Sequence, residues 1–209
     1  MRVAKELQDG FYVNLGIGLP TLVANFIPPE KTIIFQSENG ILGVGPFPEE
    51  GEEDADLVNA GGQLVTLSPG GCFFHHADSF AMIRGGHIDV AVLGGLQVSE
   101  KGDLANWMIP QRRVGPIGGA ADLAANAKRV IIPMEHTTRD GDAKIVKSCS
   151  YPLTAKECVD LIVTDLAVIE VTKEGLVLKE IAPEWRVEEI QALTEPKLIV
   201  DKDLREVEL

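Results

Sequence analysis

Glu38 stands where a sequence can place a carboxylate beside a ligand. It follows a short apolar run, residues 32–35, which predicts a buried strand, and it precedes the turn dipeptide Asn39-Gly40. Glycines at positions 43 and 45 would let a ligand approach the backbone closely. Two interpretations remain open from the residues alone. Glu38 is either a carboxylate presented to a ligand at a strand end or a solvated acid in a hairpin turn, which Asn-Gly favours.

Other stretches also contain residues that could do chemistry. The glycine-rich residues 115–119 precede a predicted helix over residues 120–128, so their amides could bind an oxyanion, or the stretch is an ordinary connecting loop. His75 and His76 are adjacent but lack the H-E-x-x-H spacing of a metal site, which favours a loop pair at the edge of a pocket. The acidic stretch at residues 46–56 predicts a solvated loop. No metal site is therefore predicted.

The composition predicts that one α/β domain, residues 1–209, positions these groups. The chain has 209 residues and is 45% hydrophobic, and helical and strand-like segments alternate along it. A formal net charge of −13 argues against a nucleic-acid binder. No apolar stretch approaches the length of a membrane span, and the first residues mix charges too early for a signal peptide. Three cysteines without a C-x-x-C pair favour reduced, mostly packed thiols in a cytoplasmic protein.

The hydrophobic pattern predicts the individual elements. We expect strands over residues 11–15, 32–35, 63–67, 88–93, 130–132, 144–146, 161–172, 176–178 and 198–200, and helices over residues 1–9, 20–26, 78–84, 120–128 and 187–193. The continuous apolar run at residues 88–93 is typical of a strand buried on both faces of a parallel sheet. Residues 68–71 predict a turn, and Thr154 with Glu157 predicts a helix capping box. Ligands would collect at the carboxyl ends of the parallel strands.

The stretch around Glu38 resembles the signature of the 3-oxoacid coenzyme A-transferases, in the subunit that carries their catalytic glutamate. All nine positions of Phe35-Gln36-Ser37-Glu38-Asn39-Gly40-Ile41-Leu42-Gly43 match. Further stretches are similar to the family in the family's order, from about residue 3 to about residue 200. They are residues 13–18, 59–61, 79–87, 102–107 and 118–123.

This resemblance implies a three-layer α/β fold, with a mostly parallel sheet flanked by helices, and it implies roles for single residues. Glu38 would be the nucleophile that carries coenzyme A (CoA) as a thioester, so CoA is a substrate and no separate cofactor is expected. Gly119, with Gly118 beside it, would donate a hydrogen bond to the oxyanion, and Asn14 would contact CoA. The remaining candidates for the substrate pocket are Asn39, His75 and His76.

Two departures from the family pattern concern CoA binding. Many relatives carry a lysine directly after the Asn-Ala-Gly motif, where this sequence has Gly62. Before the paired glycines, where relatives often have lysines, this sequence has Arg112 and Arg113. The two arginines could bind the CoA phosphates, because Arg favours phosphate, or they are exposed surface residues.

The resemblance implies an enzyme that moves CoA from a donor acyl-CoA, with succinyl-CoA favoured, to a 3-oxoacid. Residues 74–80 are more similar to the 3-oxoadipate branch, and residues 59–63 to the acetate–acetoacetate branch, so the acceptor stays open between 3-oxoadipate and acetoacetate. The alternatives are an acetate- or butyrate–acetoacetate transferase, an acyl-CoA hydrolase of the same fold and a non-catalytic nucleotide-binding module. The active enzyme would be a hetero-oligomer in which this chain, the glutamate-bearing half, joins a companion CoA-transferase subunit, two of each, without nucleic acid or membrane as a partner.

Overall fold

The computed structural model describes residues 2–110 and 117–208. Its helices are the 3₁₀ helices Arg2–Glu6 and Leu19–Phe26 and the α-helices α1 (His76–Arg84), α2 (Ala120–Asn126) and α3 (Val187–Ala192). Its strands are β1 (Tyr12–Leu15), β2 (Ile34–Ser37), β3 (Ile41–Val44), β4 (Leu67–Phe73), β5 (Val90–Val92), β6 (Gln97–Ser99), β7 (Leu104–Ala105), β8 (Arg129–Pro133), β9 (Ile145–Val146), β10 (Leu161–Val163), β11 (Ala167–Thr172), β12 (Gly175–Ile181) and β13 (Ile199–Glu206).

A ten-stranded sheet forms the framework, in the order β13-β12-β11-β10-β8-β5-β1-β2-β3-β4. The five central strands, from β10 to β2, are mutually parallel. Beyond them β3 and β4 run antiparallel on one side, and β11 is antiparallel to both of its neighbours on the other. A second sheet of three strands has the order β7-β6-β9. The parallel centre brings the carboxyl ends of β1, β2 and β5 to one edge, where ligands bind in α/β sheets.

Each face of the large sheet carries its own hydrophobic core. Along β8, Ile131 is buried on one face with Val3 and Val23 of the two 3₁₀ helices. Its neighbours Val130 and Ile132 are buried on the other face, together with residues of α1, α2 and α3. This alternation follows from the two-residue period of a strand, and it gives three layers. The prediction of a single α/β domain with a mostly parallel sheet flanked by helices is confirmed.

The turn predicted at residues 68–71 is wrong, because these residues belong to strand β4. The register with β3 shifts between Leu42, opposite Cys72, and Val44, opposite Leu67, so the Ser-Pro-Gly-Gly sequence forms an irregular bulge. Strand β4 lies at the edge of the sheet. Pro69 has no backbone N–H to donate, and an edge strand tolerates proline because its outer side has no neighbouring strand to bond to. The strand predicted at residues 63–67 is correspondingly displaced, with a bridge from Leu64 to Val58 in its place.

The capping box predicted at Thr154 and Glu157 is also wrong, because no helix begins there. The hydroxyl of Thr154 donates to Oδ1 of Asn106 at 2.6 Å, and the backbone N–H of Glu157 donates to Oδ1 of Asp103 at 3.0 Å. These tertiary hydrogen bonds replace the local ones that a cap would make.

Other predicted elements exist with different boundaries or types. The two N-terminal helices are 3₁₀ helices, and the strand predicted over residues 161–172 is broken at residues 164–166. The last strand continues to Glu206, well beyond the predicted residues 198–200. Within residues 2–110 and 117–208, no helix is long and apolar enough to cross a membrane.

Ion pairs join the first 3₁₀ helix to the last strands. Arg2 donates to Glu180 from Nε at 2.8 Å, and Arg205 donates to the same carboxylate from Nη2 at 2.7 Å. The Glu180 side chain is only 3% exposed. Burial alone would raise the pKa of Glu180, but the hydrogen bonds from Arg2 and Arg205 outweigh it and hold that pKa below its ordinary value.

Candidate active site

A cavity of about 890 Å³ lies at the carboxyl ends of β1, β2 and β5. The loops that follow these strands and the start of α2 form its walls, together with residues 59–65. Its polar lining residues are Asn14, Thr21, Asn25, Gln36, Ser37, Glu38, Asn59, Gln63 and Asn106, and its apolar ones include Ile17, Phe47, Trp107 and Ile117. In the described part of the chain, Glu38 is the one lining residue with an ionisable side chain.

Glu38 occupies the first position of the three-residue turn that joins β2 to β3. Ser37 pairs with Ile41 across the hairpin, and the N–H of Gly40 donates to the carbonyl of Ser37 at 3.0 Å. Gly40 has φ of 120°, and a Cβ there would lie 2.3 Å from the carbonyl oxygen of Phe74, so only glycine fits. The hairpin turn expected from Asn39-Gly40 is therefore present. It is also what places Glu38 at the wall of the cavity.

The carboxylate of Glu38 is free of protein partners among the described residues. It accepts no hydrogen bond and forms no ion pair with residues 2–110 or 117–208, although Glu38 is half-buried. A carboxylate in this setting is open to a ligand. As far as residues 2–110 and 117–208 are concerned, it can act as a nucleophile or a base without first breaking a salt bridge.

Gly119 faces Glu38 across the cavity. It directly precedes α2, and an added Cβ would lie 3.4 Å from Cγ of Glu38 and 3.2 Å from Cζ of Phe80. The absence of a side chain at position 119 therefore leaves room for the Glu38 side chain. Gly118, with φ of 57°, also lines the cavity and has no atom within 4 Å of an added Cβ.

The two neighbours of Glu38 hold one wall of the cavity. Ser37 Oγ accepts from the N–H of Ala60 at 2.9 Å, and Asn39 Nδ2 donates to the carbonyl of Val58 at 2.7 Å. Between these two contacts lies Asn59, which lines the cavity. The turn therefore fixes the Asn-Ala-Gly segment while it presents the carboxylate.

Beneath Glu38, three polar side chains form a buried chain of hydrogen bonds. Asn14 Nδ2 donates to Oε1 of Gln36 at 2.6 Å and to its backbone carbonyl at 3.1 Å. Gln36 Nε2 donates to Oγ of Ser79 at 2.6 Å. These residues are 1%, 3% and 0% exposed, respectively. The chain of bonds ties β1, β2 and α1 together, and β2 is the strand that leads into the Glu38 turn.

The structure brings together some of the residues that the sequence singled out. Four of them line the cavity: Glu38, Gly118, Gly119 and Asn14. The amide nitrogen of Asn14 donates a hydrogen bond to Gln36. Asn39, His75 and His76 are not among the lining residues. Instead, His75 Nδ1 accepts from the N–H of Ala77 at the start of α1, and the ring of His76 lies 4.7 Å from that of Phe80. Arg112 and Arg113 lie outside the described residues.

Sequence reasoning missed several residues of the site, of which Gln36, Ser79, Phe80, Asn106 and Trp107 are the main ones. A signal was present for one pair. Asn14 and Gln36 are polar residues inside apolar strand segments, and they are partners in the parallel register of β1 and β2. Neighbouring polar groups in buried strands indicate a hydrogen bond between them. In residues 2–110 and 117–208, no group of three or more His, Cys, Asp or Glu residues could hold a metal ion.

Comparison with known proteins places this geometry in a family. The family model described as coenzyme A transferase matches residues 1–193. The chain belongs to the coenzyme A transferase family. It is 56% identical over 199 residues to the B subunit of a 3-oxoadipate CoA-transferase from Pseudomonas putida, covering 95% of this chain and 93% of that relative. CoA is thus a substrate of the family, and the chain is a CoA-transferase of the 3-oxoacid type.

Two further comparisons extend this result. The chain is 53% identical over 206 residues to a mitochondrial succinyl-CoA:3-ketoacid coenzyme A transferase from Mus musculus, covering 98% of this chain but 40% of that longer relative. Its fold is similar to a solved acyl-CoA transferase from Escherichia coli O157:H7, with a TM-score of 0.77 at 19% identity, covering 99% of this chain and 42% of the other. Because the Pseudomonas relative is named as a B subunit, its name implies a companion subunit.

Proposed function

We propose that this CoA-transferase moves CoA from a donor acyl-CoA to a 3-oxoacid through a thioester on Glu38. One observation carries the proposal. The Glu38 carboxylate faces a cavity of about 890 Å³, opposite Gly119, and has no ion pair or hydrogen bond with the described residues. A carboxylate that faces a cavity beside a glycine backbone supports acyl transfer to that carboxylate.

The chemistry proceeds by two exchanges for each half-reaction. The Glu38 carboxylate attacks the acyl carbonyl of the donor, the carbon–sulfur bond breaks, and CoA thiolate leaves an acyl-glutamyl anhydride. The thiolate then attacks the glutamyl carbonyl, and the donor acid departs as a carboxylate. The acceptor acid repeats these steps in reverse, which gives ping-pong kinetics. Each complete half-reaction converts one thioester and one carboxylate into another thioester and another carboxylate, so it is nearly thermoneutral overall.

Each attack passes through an oxyanion, for which the Gly119 N–H is the proposed donor, with Gly118 beside it. A preorganised backbone donor is not reorganised during the reaction, and the loss of one such donor costs roughly 10²–10³ in rate. Asn14 in the cavity wall is proposed to contact CoA. Arg112 and Arg113 are proposed to bind its phosphates.

The names of the relatives suggest which donor and acceptor acids this enzyme uses. The relatives' names include both 3-oxoadipate and succinyl-CoA:3-ketoacid transferases, at 56% and 53% identity. We therefore keep succinyl-CoA as the donor and leave the acceptor between 3-oxoadipate and acetoacetate. His75 and His76 are proposed to influence that choice, with His76 acting through its ring contact to Phe80. The test compares kcat/KM for 3-oxoadipate with kcat/KM for acetoacetate in the natural protein, His75→Ser and His76→Ser. The same ratio in all three proteins would show that neither histidine sets the choice of acceptor.

The assembly is proposed to be a cytoplasmic heterotetramer, with two copies of this chain and two of a companion CoA-transferase subunit. Residues 1–209 would together form the glutamate-bearing domain. The longer mouse relative, of which this chain spans 40%, has room for a second half within one polypeptide. We expect little transfer by the purified single chain, and full turnover by that chain alone would exclude the heterotetramer.

Trapping the intermediate tests the central claim. The assembled enzyme is incubated with succinyl-CoA and no acceptor and then treated with hydroxylamine, which converts a thioester or anhydride to a hydroxamate. Peptide mass spectrometry should place the hydroxamate on Glu38 alone. Glu38→Ala should abolish transfer with the fold intact, because a turn residue contributes little to the core. Glu38→Asp should lose about 10²-fold or more, because the carboxylate is withdrawn by over 1 Å.

The matched control is Glu49→Ala, which removes an exposed acid from the neighbouring loop and should leave transfer unchanged. Labelling of another acid, or near-normal transfer by Glu38→Ala, would overturn the mechanism. Rapid consumption of acyl-CoA without any acceptor would indicate a hydrolase instead. Failure of CoA esters to react at all would indicate a non-catalytic nucleotide-binding module.

A further inference from the structure

The hydrogen bonds below Glu38 have a fixed direction. The backbone carbonyl of Gln36 can only accept, so the Asn14 atom that faces it at 3.1 Å is the donor Nδ2. The same Nδ2 lies 2.6 Å from the Gln36 side chain, which must therefore present its oxygen. That leaves Nε2 of Gln36 to donate to Ser79 Oγ at 2.6 Å. One backbone group thus determines the orientation of both amides.

The position of Gln36 relates this chain of bonds to the carboxylate. Gln36 lies on β2 and precedes Glu38, the first residue of the turn, by two positions, with only Ser37 between them. Both lie at the carboxyl end of β2, where Glu38 begins the turn. Both polar atoms of the Gln36 amide are hydrogen-bonded, Oε1 to Asn14 and Nε2 to Ser79. These bonds hold the end of β2, where the turn begins.

Ser79, the last residue in this chain of bonds, lies next to Phe80, which packs beside Gly119. Ser79 is followed in α1 by Phe80, whose Cζ would lie 3.2 Å from a Cβ at Gly119. The Gln36–Ser79 bond thus joins the strand that carries Glu38 to the helix that packs beside Gly119. Its loss would allow these two walls to shift relative to each other.

Stability alone is a poor explanation for three polar side chains in this place. Buried polar groups must all be paired to avoid a desolvation cost, and apolar residues of similar volume can stabilise a fold equally well. Elsewhere the central strands are apolar, as in β5, where all three residues are buried Val or Ala. A fully paired polar chain instead restricts the site to one arrangement.

We infer that Gln36 is a positioning residue, which holds Glu38 at its distance from Gly119 through its bonds to Asn14 and Ser79. Its effect on rate rests on the proposed function, in which Glu38 is the nucleophile. Its effect on the order of the turn does not depend on that function. Two separate measurements therefore test it.

The variants are Ser79→Ala, which removes the acceptor of Gln36 Nε2, and Gln36→Met, which keeps the length of the side chain without its hydrogen bonds. Ser99→Ala is the matched control. Ser99 is 1% exposed, and its hydroxyl bonds to Asp103 Oδ2 at 3.0 Å, among residues that do not line the cavity. All variants are studied in the enzyme assembled with its companion subunit, with thermal unfolding measured for each.

The first readout is the single-turnover rate at which succinyl-CoA labels Glu38, together with KM for succinyl-CoA. We expect the rate to fall about tenfold in Ser79→Ala and about 10²-fold in Gln36→Met, because a misplacement of about 1 Å can cost that much. KM should change by less than about threefold in Ser79→Ala, which leaves the groups proposed to bind CoA untouched, whereas Gln36→Met also removes a partner of Asn14, a proposed CoA contact. Ser99→Ala should lower the unfolding temperature comparably without changing the rate.

The second readout is hydrogen exchange, by mass spectrometry, of the peptide covering residues 36–42. It should exchange at least about tenfold faster in both site variants and at the natural rate in Ser99→Ala. Unchanged labelling rate and unchanged exchange in both site variants would overturn the inference. If the natural enzyme forms no adduct on Glu38, the proposed function fails, and the exchange measurement alone decides the positioning role.

Discussion

Gly119 and Glu38 face each other at van der Waals distance, since a Cβ at position 119 would lie 3.4 Å from Cγ of Glu38. The dihedral angles of Gly119, φ −80° and ψ 0°, are ones that any residue adopts. The glycine is therefore required for space and not for its conformational freedom. Phe80 closes the other side, with Cζ 3.2 Å from the same Cβ position.

Gly119→Ala should therefore reduce activity without unfolding the protein. The added Cβ would lie 3.2 Å from Cζ of Phe80, so either Phe80 or the backbone at position 119 must move by a few tenths of an ångström, and a backbone shift displaces the proposed oxyanion donor. We expect kcat to fall about 10²-fold, with an unfolding free energy within about 1 kcal/mol of the natural protein. Adding Phe80→Leu should restore part of kcat, because it relieves one of the two contacts. A normal kcat in Gly119→Ala would contradict a role for Gly119 in the reaction.

The bonds from Ser37 and Asn39 to the wall of the cavity should affect substrate binding. Ser37→Ala and Asn39→Ala each remove one hydrogen bond to the segment around Asn59, at 2.9 Å and 2.7 Å. A net value of about 1 kcal/mol per bond predicts an increase in KM for succinyl-CoA of about fivefold, with little change in kcat. Asp54→Ala removes a bond to Asp56 within the same loop and should leave KM unchanged.

The oxygen balance of the proposed mechanism can be followed with an isotope. With an acceptor acid whose carboxylate carries ¹⁸O, one labelled oxygen should pass to the Glu38 carboxylate and then, in the next turnover, to the released donor acid. In the acceptor anhydride CoA thiolate breaks the acyl C–O bond, which leaves the labelled bridging oxygen on Glu38. In the next donor anhydride it breaks the glutamyl C–O bond, which releases a Glu38 oxygen with the donor acid, and that oxygen is the labelled one in about half of the turnovers because either Glu38 oxygen can attack. Mass spectrometry of the donor acid measures the transfer. Oxygen that comes from H₂¹⁸O, with none from the acceptor, would identify hydrolysis and contradict the anhydride route.

The Glu180 ion pairs should make stability depend on pH. The pKa of Glu180 is lowered in the folded state, so its contribution is present above the unfolded value and is lost as the pH falls through the folded value. Glu180→Gln should cost about 3 kcal/mol of unfolding free energy at pH 7, because Arg2 and Arg205 lose a buried partner. The difference should shrink below about pH 4.

The matched control is Glu170→Gln, whose exposed carboxylate lies 3.6 Å from Lys179. It should cost less than about 1 kcal/mol at any pH. Denaturant titrations at pH 7 and pH 3.5 measure both variants. An equal cost for Glu180→Gln at the two pH values would refute the ion-pair explanation.

The three cysteines should differ in reactivity. Burial, as the main cause, raises the pKa of Cys149 to about 11 and that of Cys158 to about 12. At pH 8 about 0.1% or less of either thiol is ionised, so both should resist alkylation. Cys72 is exposed on the edge strand and should react with iodoacetamide, and Cys72→Ser should abolish that labelling. Labelling of all three is expected only in denaturant, and fast labelling of Cys158 in the folded protein would contradict its burial.

Much of the fold could be predicted because it depends on local patterns. The apolar run before Glu38 forms β2, and Asn39-Gly40 forms the turn, as the sequence indicates. The two interpretations of Glu38 were not exclusive, because a hairpin turn presents the side chain to the cavity. The apolar run at residues 88–93 contains β5, a central parallel strand with all three residues buried.

The errors occurred where tertiary contacts decide the outcome. Nothing local shows that Pro69 lies on the edge of a sheet, where a strand tolerates it, or that Thr154 will bond to Asn106 instead of capping a helix. The charged residues 201–206 carry no apolar pattern of a strand, yet they continue the outer strand that pairs with β12. The meeting of Glu38, Phe80 and Gly119 could not be predicted from spacing at all, because three separate segments supply it.

The hairpin position of Glu38 also bears on how the site is assembled during folding. The turn closes over three residues, so Glu38, the proposed nucleophile, reaches its local geometry with the speed of a hairpin, in about 1–10 μs. Gly119 joins it from about 80 residues further along the chain, after the long connection that places β5 parallel to β1, and such non-local pairing forms slowly. A refolding chain therefore has an ordered Glu38 turn well before it has an active site. The recovery of catalysis follows the arrival of the glycine loop and not the formation of the turn.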